Sequence, residues 1–132
     1  MTSPIVGTWS YRSFLNNADL DLEFNNLRFG AGTLEITEPE RGIVAGSLGG
    51  TGWSLGLQGW LSSGNPGTIR FQGSGDIGGE HWVYDYLGFL SPHWPNGVDQ
   101  VPSIVGTIVR TAPHSNGNAP AGFVASWYAV KQ

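Results

Sequence analysis

Asp85 stands in the run WVYDYLGFL, and on an alternating chain it shares its row with Val83, Leu87 and Phe89. A lone carboxylate among apolar neighbours is costly to bury, so it calls for a cation. Three arginines, Arg12, Arg70 and Arg110, fall in runs of similar character. Arg110 shares its row with Ile104, Gly106 and Ile108 and is the first candidate, with Arg12 and Arg70 behind it. An Asp85–Arg110 pair would pin strand register, orient a ligand beside Trp9, Phe71 or Tyr84, or move protons. Proton delivery is the weakest of the three, because a carboxylate held by a guanidinium is a poor acid near neutrality.

The histidines offer a second chemistry, since His81, His93 and His114 are the only soft metal ligands in a chain without cysteine. No two of them have the i, i+2 or i, i+4 spacing that aims two rings at one ion from a single element, so no metal and no other cofactor is expected. His93 belongs instead to SPHWPNGVDQVP, where two prolines bracket Trp94 and Asn96-Gly97 follows. That is a preset turn. His93, Trp94 and Asn96 then form either a plug folded over a mouth or a recognition surface. A Ser/His/Asp elbow, a phosphate-cradling glycine loop leading into a helix and a convincing carboxylate pair are all missing, so an enzyme is the less favoured class.

The residues that must position these groups belong to an all-β chain. Charged residues make up 12% of the sequence, about half the usual share, and 21 glycines and six tryptophans are many for 132 residues. This length suits a single domain over residues 1–132. A net charge of -4 offers no basic surface to nucleic acid. The N-terminal MTSPIVGTW has neither a basic leader nor a long apolar core, and no apolar run reaches membrane-spanning length. A cytoplasmic location, with no membrane partner, is the expectation.

Eight short runs of β-branched and aromatic residues alternate with Gly, Pro and Asn clusters. They are Gly7 to Leu15, Gly32 to Glu38, Gly42 to Gly49, Trp53 to Leu61, Thr68 to Gly75, Trp82 to Leu90, Ser103 to Thr111 and Phe123 to Val130. Short links make them a meander, and a meander of eight strands closes economically into an up-and-down barrel. Glycines 46, 56, 73, 88 and 106 suit sharply bent strands, or places where a ring lies across the backbone. The segment from Asn16 to Phe29 reads as a short helix capped by Asp19 or Asp21, or as a long loop, and is expected to cover one end.

Gly7, Thr8 and Trp9 at the head of the first strand, GIVAGS further on and a final AVK are similar to the avidins and, through a Gly-x-Trp signature, to the lipocalins. The resemblance implies a barrel with a ligand-binding lumen. The tyrosines and tryptophans that avidins place around biotin have no counterpart, so it does not imply biotin. The later half, from VYDYLGFL to HSNG, resembles uncharacterised bacterial barrel domains associated with tyrosinase-type oxidases.

Sixteen aromatic residues exceed what an aliphatic lumen needs. The first reading is a barrel that binds a small apolar or aromatic molecule against Trp9, Phe71, Tyr84 and Trp127, with polar help from Asp85, Arg110 and Arg12. A second is an accessory or oligomerisation barrel, packed shut, whose outer rings bind a protein partner. A third is a cofactor-free isomerase or cyclase in the same pocket, and carbohydrate binding by Trp53, Trp60 or Trp94 is a lesser variant. Trp60 and Tyr128, facing away from their strands' apolar rows, and the two apolar rows around Asp85 lead us to expect a homo-oligomer.

Overall fold

The computed structural model of the chain describes residues 3–132. Eight strands run in order as β1 (Gly7–Leu15), β2 (Arg28–Thr37), β3 (Ile43–Gly50), β4 (Trp53–Ser62), β5 (Thr68–Ile77), β6 (Glu80–Leu90), β7 (Ser103–Arg110) and β8 (Val124–Lys131). Each pairs antiparallel with the next, and β8 returns to β1, with Trp9 opposite Lys131. The predicted up-and-down barrel is thus closed, and no strand is left with an open edge. Helix among the described residues is confined to two 3-10 turns, Phe24–Leu27 and Ser115–Gly117. No helix is long and apolar enough to cross a membrane.

Alternation sets the walls. On β1 the buried residues are Trp9, Tyr11 and Ser13, and on β6 they are Tyr84, Tyr86 and Gly88. Because the chain runs up one strand and down the next, the β1–β2, β3–β4, β5–β6 and β7–β8 connections gather at one end, here the upper. The other connections, the start of β1 and the end of β8 gather at the lower end. The lower end is sealed: Ile5, Trp9, Ile69, Ile104 and Ala129 are all almost fully buried, and the Trp9 indole N–H donates to the Ile5 carbonyl at 2.9 Å. A layer of rings fills the middle, with Phe71 stacked on Tyr86 at 4.6 Å and Trp127 set edge-on to both at 6.1 and 6.0 Å.

Two expectations need correcting. The second strand begins at Arg28, not Gly32, because a bulge between Ser13 and Phe14 lets β1 keep pairing as far as Arg28. The preceding segment does not cover an end either. Residues 16–26 are exposed, and Phe24 packs at 5.3 Å on Phe14, which lies 6.3 Å from Tyr128 on the outer wall. Side chains at the upper end are therefore left to form the mouth themselves. On the outer wall Trp60, Phe89 and Val105 remain exposed.

Candidate functional site

Above the ring layer the lumen opens into a cavity of about 370 Å3. Its walls come from the upper ends of the strands: Tyr11 and Ser13 of β1, Phe29 of β2, Trp53 and Leu55 of β4, Trp82, Tyr84 and Tyr86 of β6, and Ile108 and Arg110 of β7. His114, from the β7–β8 connection, completes it. Most of this lining is aromatic or aliphatic. Burial raises the Tyr11 phenol to about 12 and the Tyr86 phenol well above its usual value, so both stay neutral beside the floor.

The polar groups converge on one wall. Arg110, 7% exposed, donates from Nε to the Tyr84 hydroxyl at 3.0 Å and from Nη1 to the Pro120 carbonyl at 3.2 Å. The Tyr84 hydroxyl is 2.8 Å from His114 Nε2, and His114 Nδ1 is 2.9 Å from the Ser115 hydroxyl. With Tyr84 accepting from Arg110, its own proton is free to point to Nε2, an arrangement that suits a neutral His114 with the proton on Nδ1 donating to Ser115. The His114 ring lies flat on Trp82, with centroids 3.8 Å apart and planes 11° from parallel.

The loop that carries His114 is unusual in backbone. Ser115 and Asn116 both have positive φ, 57° and 56°, and their N–H groups form a small concavity. The Glu80 carboxylate fills it, accepting from Ser115 at 2.8 Å and from Asn116 at 3.1 Å. Strand β6 thus supplies both Trp82 beneath the imidazole and Glu80 behind it.

Desolvation first, and the nearby Arg110 charge second, lower the pKa of His114, although Glu80 opposes them. An unfolded histidine titrates near about 6.5. Protons therefore favour the unfolded chain below that value, and the stability that neutral His114 contributes is full above it and lost as pH falls through the native value. Melting temperatures of the wild type and His114→Gln, compared from about pH 7.5 to about pH 5, should converge as pH falls. A constant difference would show that His114 does not titrate in this window.

The sequence-predicted site is only partly assembled. Tyr84 and Arg110 line the cavity. Phe71 and Trp127 lie in the ring layer below it, and Trp9 lies at the sealed end. Arg12 is exposed on the outer wall, where it donates to the Tyr128 hydroxyl at 3.2 Å. Asp85 does not meet Arg110. In the β6–β7 register Arg110 stands opposite Tyr84, and residues opposite each other share a face, so Asp85, one residue further on, must point outward. It is exposed and accepts a hydrogen bond from Gln72 at 3.3 Å. The carboxylate thus avoids burial through strand parity rather than through an ion pair, and Arg70 is likewise exposed. His93, Trp94 and Asn96 are exposed in the β6–β7 connection, at the lower end, too far round to be the rim of this cavity.

No protein-family model, curated protein or solved structure matches this chain. The chemistry of the barrel has to be read from its own residues. Among the described residues no three His, Asp or Glu side chains gather to hold a metal ion. Tyr11, Ser13, Phe29 and Trp82 were not singled out from sequence as site residues, and Trp53 and His114 were weighed only as a carbohydrate-binding ring and a metal ligand, yet a signal for all six exists. In a meander, inward residues at the ends of odd strands and the starts of even strands share one mouth, and these side chains stand there or on the adjoining loop.

Proposed function

We propose that this barrel binds a small apolar or aromatic molecule in its upper lumen. The observation that carries the reading is the cavity itself, whose volume falls within the range of small-molecule sites and whose walls pair aromatic rings with a few convergent polar groups. That volume favours a binding barrel over an accessory barrel with a packed lumen. Phe29, Trp53, Tyr84 and Trp82 supply ring faces, and the Arg110–Tyr84–His114 chain supplies a fixed polar wall.

Native mass spectrometry of the protein as purified, followed by calorimetric titration with a panel of neutral and charged two-ring aromatics, tests the reading. Saturable one-to-one binding is expected, and Ile77→Trp should abolish it, because Ile77 lines the cavity at the upper end of β5 and an indole there fills the entrance. A panel with no binder and a mass spectrum with no carried molecule would remove the function.

A further inference from the structure

We propose that the ligand is an amphipathic carboxylate: a small hydrophobic body in the lumen whose carboxylate is held by the guanidinium of Arg110. This deepens the binding reading above and rests on it. The argument starts from charge. Arg110 is more than nine-tenths buried, and an arginine keeps its charge under any physiological condition. A buried cation normally has a counter-charge, yet the single ion pair among the described residues joins His81 to Asp76 elsewhere, at 2.9 Å. No Asp or Glu lines the cavity, and the nearby Glu80 is committed to the backbone of Ser115 and Asn116.

What does hold the guanidinium is partial. It lies 5.6 Å from the Phe29 centroid, 5.6 Å from that of Tyr84 and 5.1 Å from that of Phe123. Ring faces attract a cation but accept no strong hydrogen bond. The side chain carries five N–H donors, and the bonds to Tyr84 and Pro120 use only two, leaving Nη2 with no acceptor among the described residues. Nη2 is accessible from the cavity side, and the indole N–H of Trp82, which lines the same cavity, is buried without a partner. The wall is therefore rich in donors, poor in acceptors and positive, and the lumen beside it is apolar. A planar carboxylate fits the free edge of a guanidinium fork, and a hydrophobic tail fits the rest. A neutral aromatic would leave the donors unsatisfied, and a cationic one would meet Arg110 with like charge.

The test compares two probes of nearly the same shape, 2-naphthoate and 2-naphthalenemethanol, by calorimetry on the intact protein near neutral pH. We expect the acid to bind about tenfold or more tightly than the alcohol, and Arg110→Gln to remove that preference, so that the two probes bind within about threefold of each other. Should Arg110→Gln not fold, the wild-type comparison decides by itself. Equal affinities, or tighter binding of the alcohol, overturn the anion inference and leave the pocket standing. Acid binding that survives Ile77→Trp overturns it too, because the acid then sits outside the cavity. If neither probe binds and the wider panel is also empty, the binding reading fails and this inference falls with it.

Discussion

Trp127→Ala should destabilise the barrel by about 3–5 kcal/mol, the range for removing a large ring from a packed core. Trp127 is 1% exposed and touches the other members of the ring layer, with Tyr11 at 5.8 Å, Tyr86 at 6.0 Å and Phe71 at 6.1 Å. Its indole N–H donates to the Thr107 carbonyl at 2.9 Å, so truncation also strands a backbone acceptor. No neighbour can collapse into the gap from across a closed wall, and the melting temperature should drop by about 10 °C or more. Trp60→Ala is the control. That ring is 56% exposed on the outer wall, and its loss should change stability by about 0.5 kcal/mol or less. Denaturant melts of the two variants would show equal losses if the middle of the lumen were not tightly packed.

A second large effect is expected at Gly106, where alanine should cost about 3 kcal/mol or prevent folding. A methyl there would fall onto the Leu87 carbonyl oxygen and lie 2.8 Å from the Gly88 Cα, so β6 and β7 would have to part where they pair. The bare backbone on this patch is also where Trp127 lies: a Cβ at Gly88 would come within 2.7 Å of its indole. Gly56→Ala is the matched comparison, because a methyl at Gly56 meets nothing closer than the Ser74 carbonyl oxygen at 3.8 Å. Urea unfolding of both variants checks the contrast, and a Gly106→Ala protein as stable as Gly56→Ala would refute the steric account.

These glycines show how far the sequence could be read. A ring lying across a glycine backbone was legible as a type of event and occurs at Gly88, but Gly56 belongs to the same list and does nothing of the kind. The difference depends on which ring arrives from β8, a strand more than thirty residues away in sequence. The eight strands and their closure were legible because alternation and turn chemistry are local. Arg110 was legible as an inward residue for the same reason, from the row it shares with Ile104 and Ile108. Asp85 was misplaced because its apolar neighbours Val83, Leu87 and Phe89 imitate an inner row. Only the register against β5 and β7 shows that the row with Tyr84, Tyr86 and Gly88 is the buried one. His114 was weighed only as a metal ligand and not as part of the cavity wall, because its place there depends on the Glu80 carboxylate filling a backbone concavity, a contact that no periodicity announces.

The pairing of β1 with β8 ties the first strand to the last, with Arg12 bonded to Tyr128 across 116 positions of sequence. During vectorial synthesis, then, seven strands emerge before the ladder can shut, and the ring that fills the middle of the lumen comes with the eighth. Until that moment the growing chain carries two unpaired edges and a half-lined apolar trough, the kind of surface that chaperones hold and that other nascent chains can join. Contacts this distant in sequence also make for slow folding. A ribosome-stalled chain ending before Val124 should therefore be protease-sensitive throughout, and protection should arrive in a single step with the last strand rather than hairpin by hairpin.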